Sequence, residues 1–186
     1  MSAVSEVSIC NRALQKIGES QIMSLDDKIR PAVECKRLYA YLRDTLNGSY
    51  AWNFAKKRAL LPEMGDAPIG FDRQFQLPSD CLRVHEITTS FYWSNEGGRI
   101  LTNASAPLEI HYASRVTDTN KFDPLFTETL ASYMASELAE VFTQSDQKRR
   151  SLWEEYQAIL QKAVSVDARQ QPPRPLPEPT WITSRY

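Results

Sequence analysis

Apolar residues recur at helical spacing in the N-terminal part of the chain. Ser5 is placed to cap a first helix, and Gly18 is placed to end it. A second helix is predicted from Pro31, which suits the first turn of a helix, to Asn47-Gly48, which interrupts the pattern. Both segments carry an apolar residue every three or four positions, so each is expected to pack one face against a core.

The C-terminal half returns to the helical pattern. Asp123-Pro124 combines a capping residue with a first-turn proline, which predicts the start of a third helix. A break near Ser145-Asp146 separates this helix from a fourth one. The third helix is expected to bury Leu130, Tyr133, Met134, Leu138, Val141 and Phe142. Four helices with one apolar face each are typical of a bundle.

Between the two helical parts, apolar and polar residues alternate, which predicts strands. The sequence Asn95-Glu96-Gly97-Gly98 favours a hairpin turn. In the segment 71–77, the alternating polar residues Asp72, Gln74 and Gln76 are expected to face solvent. Short strands joined by tight turns predict an antiparallel sheet or a small sandwich. The strand segments are 58–61, 71–77, 82–89, 91–93, 99–101 and 108–113.

The pattern as a whole predicts an α+β fold, in which a bundle of about four helices is built from both chain ends. An antiparallel β domain is inserted between them, and an extended arm follows. The expected boundaries are 1–57 and 118–165 for the bundle, 58–117 for the β domain and 166–186 for the arm.

The junction between the bundle and the β domain is expected to have an aromatic core. Large aromatic side chains bury roughly 150–250 Å² each, enough to anchor one part against another. The residues predicted to form this junction are Trp52, Phe54, Phe75 and Leu77.

The C-terminal arm differs in composition from the rest of the chain. The segment 171–179 contains five prolines, which favours an extended conformation close to polyproline II. Aromatic residues after such a segment are exposed unless they dock on another protein. We therefore expect a neighbouring subunit or a partner to be contacted by Arg174, Trp181, Ile182 and Tyr186. The alternative is a disordered arm.

The net charge argues against one broad class of function, and the charge distribution shows one local basic cluster. The net charge of −1 does not favour a free nucleic-acid-binding protein. Lys148, Arg149 and Arg150 lie near the start of the fourth helix, where the helix dipole disfavours cations. They are expected to contact an acidic partner or DNA in a lumen, and a solvated turn is the alternative.

The sequence contains no recognisable catalytic motif. The two histidines, His85 and His111, lie on predicted strands without metal-ligand spacing. The cysteines show no pairing pattern, and Cys10 and Cys35 are expected to pack as small apolar residues. We predict no catalytic, cofactor or metal site. Without a signal-like or membrane-spanning segment, the protein is expected to assemble in the cytoplasm.

Three stretches, in this order and spacing, resemble the tail tubular protein A family of tailed bacteriophages. The resemblance covers about residues 5–165. The stretches are Ile9–Gly18 with Ile22 and 24–27, Ala51–Ala55 with Arg58 and Leu60, and 75–84.

The resemblance implies a non-enzymatic adaptor ring, commonly a dodecamer, beneath the portal protein in the neck of the virion. Such a ring completes the DNA-filled head, lets DNA pass through its lumen, and joins the portal to a nozzle similar to tail tubular protein B and, in some phages, to tail fibres. The arm would then contact the portal or a neighbouring subunit.

Two alternatives belong to other classes of function. One is a virion-associated peptidoglycan hydrolase or tail accessory factor, which would need paired carboxylates in a cleft. The other is a soluble chaperone or binding module that never enters the particle.

Overall fold

The computed structural model describes residues 4–65, 67–143 and 145–170. These ranges contain four α-helices, which are α1 (Glu6–Ile17), α2 (Arg30–Ser49), α3 (Pro124–Phe142) and α4 (Asp146–Arg169). Two short 3₁₀ turns lie at Asn53–Ala55 and Thr119–Lys121.

Local capping explains why three of these helices begin where the sequence predicts. The Ser5 hydroxyl accepts from the Ser8 backbone N–H at 3.1 Å, and the Ser8 hydroxyl accepts from the Ser5 N–H at 2.9 Å. The Asp123 carboxylate accepts from the Leu125 N–H at 2.7 Å, and Ser145 caps α4 in the same way. Each cap contributes about 1 kcal/mol.

The described part of the inserted region contains seven strands in two antiparallel sheets. They are β1 (Lys56–Leu61), β2 (Glu63–Met64), β3 (Arg73–Gln76), β4 (Cys81–Ile87), β5 (Trp93–Glu96), β6 (Arg99–Thr102) and β7 (Leu108–Ser114). One sheet has the order β1-β7-β4 and the other β2-β3-β6-β5. The predicted α+β fold with an antiparallel β part is confirmed.

The predicted hairpin is present, with its turn placed later than expected. Gly97 and Gly98 have φ of 56° and 76°, which suits a two-residue turn between paired strands. Asn95 and Glu96 therefore belong to β5, and Glu96 pairs with Arg99.

The molecule has two hydrophobic cores. The helical core is shared by all four helices and includes Cys10 and Cys35, both fully buried as expected. The β core lies between the sheets and is formed by Leu61, Phe75, Ile87, Ile100, Ala104, Leu108, Ile110 and Tyr112.

The two parts are joined where the C-terminal end of α2 packs on β4 and β7. The Asn47 side chain donates to the Ser114 carbonyl at 2.9 Å, and the Ser114 hydroxyl donates to the Ala55 carbonyl at 2.9 Å. Arg115 pairs with Asp44 at 2.8 Å. Buried hydrogen bonds of this kind fix the orientation of the β part on the bundle.

Two predicted boundaries are wrong. The second helix does not end at Asn47-Gly48 but continues to Ser49, because Asn47 is fully buried and bonded to β7. The fourth helix does not stop before residue 166 but runs to Arg169. Its last turn stays helical because Asp167 is buried against the bundle.

Within the described ranges, no helix is both long enough and apolar enough to cross a membrane.

Candidate functional site

The residues predicted to form one junction core are divided between the two cores. Trp52 lies in the helical core, where its ring and that of Phe126 form a T-shaped pair with centroids 5.2 Å apart. The Phe54 ring forms a second T-shaped pair with Phe126, with centroids 4.8 Å apart. The indole N–H of Trp52 donates to the Leu46 carbonyl at 3.0 Å. These two residues therefore fix the turn that leaves α2 for β1.

Phe75 and Leu77 do not belong to the helical core that contains Trp52 and Phe54. Phe75 is fully buried on β3 and belongs to the β core, against which Leu77 packs. β3 lies in the four-stranded sheet, whereas α2 packs mainly on β4 and β7 of the other sheet. The junction is held by hydrogen bonds at the ends of α2 and β7 rather than by one aromatic core.

Asp167 is a junction residue that the sequence analysis missed. The backbone N–H of Asn53 donates to its two carboxylate oxygens at 3.1 and 3.3 Å, and the Asn53 amide donates to the Asp167 carbonyl at 2.7 Å. Burial raises the pKa of Asp167. Its position four residues after the buried Ala163 could have indicated an inward-facing residue.

The basic triplet Lys148, Arg149 and Arg150 lies in the first turns of α4, as predicted, and all three residues are exposed. Arg149 stands 3.8 Å from Glu140 of α3. Lys148 and Arg150 form no ion pair with any residue of the described ranges. The positive charges are thus largely uncompensated at a helix end that disfavours them.

A groove of about 340 Å³ runs between α3 and the N-terminal half of α4. We call it the α3–α4 groove, and it is lined by Ser136, Glu137, Glu140, Arg149, Arg150, Trp153 and Glu154. Its wall is therefore made of glutamates, arginines and one tryptophan. Within the described ranges, Glu137 and Glu154 have no ion-pair partner.

An aromatic cluster supports the groove. Tyr133 stacks on Tyr156 at 4.6 Å, and Trp153 contacts the two rings at 6.3 and 5.2 Å. Tyr156 is buried, and burial raises its pKa to about 12. Trp153 remains 45% exposed. A large ring held in place by packing yet open to solvent is suited to protein contact.

A second aromatic surface lies on the four-stranded sheet and the loops next to it. Tyr92 is 80% exposed and stacks on Phe71 at 6.0 Å, and Phe91 and Trp93 beside it are also exposed. Phe71, Phe91 and Tyr92 line a hollow of about 330 Å³. We call these four residues the β-tip cluster. The sequence predicts strands here, but alternation alone does not show that their aromatic side chains stay outside the core.

The arm residues Arg174, Trp181, Ile182 and Tyr186 lie outside the described residues. The described chain reaches Gln170, the residue after α4, which places the start of the arm at the C-terminal end of that helix.

The two histidines lie on β4 and β7 of the three-stranded sheet. His111 stands between Glu86 and Glu109, at 3.4 and 3.3 Å. Burial, with Arg83 and Lys56 nearby, lowers the pKa of His85. In the part of the chain that the structure describes, no group of three or more His, Cys, Asp or Glu side chains could hold a metal ion.

Comparison with known families gives a match. The family model for the tail tubular protein matches residues 7–162, which include α1, the whole β part and most of α4. No curated protein sequence matches the chain. The resemblance found in the sequence is thereby confirmed at the level of the family. The chain belongs to the tail tubular protein family and is a structural component of a bacteriophage tail.

Proposed function

We propose that this tail protein is an adaptor that forms a dodecameric ring between the portal and the tail nozzle. In this proposal it completes the DNA-filled head after assembly in the host cytoplasm. Its distal side receives a nozzle protein similar to tail tubular protein B and, in some phages, tail fibres.

The observation that carries the proposal is that one molecule exposes two separate aromatic surfaces on parts joined by buried hydrogen bonds. The α3–α4 groove lies on the bundle and the β-tip cluster on the β part. Exposed Trp, Tyr and Arg residues are enriched at protein interfaces. An adaptor ring must hold its neighbouring subunit and another tail protein in a fixed relation, and two such surfaces on one well-connected molecule meet that requirement.

Lys148, Arg149 and Arg150 form a local positive charge on a chain whose net charge is −1. We assign to this triplet a contact with an acidic surface of a partner, or with the phosphates of DNA that passes through the ring. Such a contact follows charge and not base sequence.

The arm is the part of the chain assigned to attachment. In this proposal, Arg174, Trp181, Ile182 and Tyr186 contact the portal or an adjacent subunit. Deletion of residues 171–186 leaves α4 intact, since the helix ends at Arg169. We expect the shortened protein to fold with an unchanged circular dichroism spectrum and to fail to join portal-containing heads. A shortened protein that still joins them would remove the arm from the mechanism.

The β-tip cluster is assigned to the nozzle. Tyr92→Ala removes a side chain that is 80% exposed, so the thermal midpoint should change little. Binding of purified nozzle protein should weaken by about tenfold or more, as for a central interface aromatic residue. Met23→Ala, which alters an 89% exposed residue outside the cluster, is the matched control. Equal nozzle binding by both variants would contradict the assignment.

A peptidoglycan hydrolase is the second candidate, because Glu137, Glu140 and Glu154 line one groove. A glycosidase general acid needs its pKa raised by burial. Glu140 is instead 71% exposed at its side chain and stands beside Arg149. A zymogram on peptidoglycan tests this candidate. Clearing by the native protein, lost in Glu137→Gln and Glu154→Gln, would establish it in place of the adaptor.

A further inference from the structure

We propose that the α3–α4 groove binds the proline-rich arm of a second copy of this chain, with Arg174 among its glutamates and a proline ring on Trp153. The inference rests on the proposed ring and names the surface through which one subunit holds the next.

The groove has the chemistry that recognises extended proline-rich segments. Such segments dock on exposed aromatic rings, and acidic residues beside the rings select a basic residue in the ligand. Trp153 supplies the exposed ring, held by Tyr133 and Tyr156. Glu137 and Glu154 supply carboxylates that have no ion-pair partner in the described ranges.

The arm has the complementary chemistry. Its prolines at 172, 173, 175 and 177 surround Arg174, so the sequence predicts a stiff segment with one cation among proline rings. A segment already extended before binding loses little conformational entropy when it docks. Arginine can pair with a carboxylate through two parallel hydrogen bonds.

The dimensions of α4 favour a contact between two molecules over one within a single chain. From Glu154 to Gln170 the helix rises about 24 Å, at 1.5 Å per residue. Arg174 lies four residues beyond Gln170, so even a fully extended arm brings it no more than about 14 Å from that point. In its own chain the Cα atom of Arg174 therefore stays about 10 Å or more from that of Glu154, so only an arm folded straight back along α4 and fully extended would bring the two side chains together, whereas the arm of an adjacent copy is free of this limit.

The groove already contains Arg149 and Arg150, and these residues help to fix how the arm lies. Arg149 is next to Glu140, which leaves Glu137 and Glu154 for Arg174. Glu178, further along the arm, has the charge to pair with Arg150. Such an alternation of charges favours one direction of the arm along the groove.

The test uses a fluorescein-labelled synthetic peptide of residues 170–186, titrated with the full-length protein and followed by fluorescence anisotropy. We expect saturable binding that weakens at least about tenfold with Trp153→Ala or with Glu154→Lys, a tenfold change being 1.4 kcal/mol. Met23→Ala and Glu96→Lys, at exposed positions outside the groove, are the controls and should bind as the native protein does.

Charge exchange makes the test specific. A peptide with Arg174→Glu should bind poorly to the native protein and regain affinity for the Glu154→Lys protein. Absence of binding, or equal affinity for the native protein and both groove variants, would overturn the inference. Binding of the peptide to purified portal and not to this protein would overturn it as well.

The inference and the proposed function can fail separately. If the peptide does not bind the groove but the full chain still joins portal-containing heads, the arm acts elsewhere and the adaptor role stands. If the peptide binds the groove but the protein never joins such heads, the subunit contact stands without the adaptor role.

Discussion

At the scale of single residues, Asp167 is an unusual element of the bundle. It is a carboxylate that is only 4% exposed in the last turn of α4, and it holds the backbone of Asn53 just before β1. Desolvation is the main influence on it and raises its pKa, while the Asn53 N–H opposes that shift. The hydrogen bonds from Asn53 therefore offset only part of the free energy that it costs to bury the charged carboxylate.

The pH dependence of stability tests this reading of Asp167. A carboxyl group whose pKa is raised by folding favours the native state below its unfolded pKa of about 3.9, and this contribution is lost as pH rises. Asp167→Asn stays uncharged and can still accept from Asn53. Its free energy of unfolding relative to the native protein should therefore increase between pH 4 and pH 7 in urea titrations.

Asp167→Ala is the matched comparison. It removes the carboxylate that accepts from the Asn53 N–H in a half-buried site, and should cost about 1–3 kcal/mol at pH 7. A difference between the Asn variant and the native protein that stays constant with pH would show that the charge of Asp167 does not matter.

Residues with non-local partners are the ones that the sequence could not place. Gln74, expected in solvent from its alternation with Phe75, is buried because its side chain donates to the Gly65 carbonyl and accepts from Arg99. Asn47 resembles a helix breaker because Gly48 follows it. Its buried role is not visible in the sequence, because its hydrogen-bond partner on β7 is 67 residues away. Alternation and propensity describe one segment at a time and contain no information on such partners.

At the scale of elements, the parts that were predicted well are those determined locally. The caps at Ser5, Asp123 and Ser145 and the glycine pair of the β5–β6 hairpin are each set within a few residues. The candidate surfaces are different, because the α3–α4 groove exists only after two helices pack together. The sequence identified its basic triplet but did not indicate that Trp153 and three glutamates line the same groove.

The start of α4 offers a variant that separates stability from assembly. Lys148→Glu combined with Arg150→Gln replaces an exposed cation in the first turn of the helix by an anion, which should stabilise the helix by about 0.3–1 kcal/mol at low salt, and removes a second cation without adding a carboxylate to the groove. The pair between Arg149 and Glu140 is retained. The thermal midpoint should stay the same or rise.

Joining of this double variant to portal-containing heads should nevertheless weaken, and the defect should be larger at low than at high salt, because screening removes electrostatic repulsion. Normal joining at both salt concentrations would indicate that the triplet is simply a solvated turn.

At the scale of the whole molecule, the N-terminal and C-terminal helices form one bundle, and the β part is attached to that bundle. The α1, α2, α3 and α4 helices share one core, and the sheets have another. Asn47, Ser114 and Asp44 fix one part to the other through short contacts. If the proposed adaptor role is right, this connection would hold a protein bound at the bundle and a protein bound at the β part in a fixed relation.

The adaptor role is tested most directly by imaging purified full-length protein mixed with purified portal rings, by negative-stain electron microscopy with class averaging. The account predicts an added ring of density on one face of the portal, with the symmetry of a closed assembly of this chain, and protruding features at the side away from the portal. Portal rings that remain bare at saturating protein would contradict it.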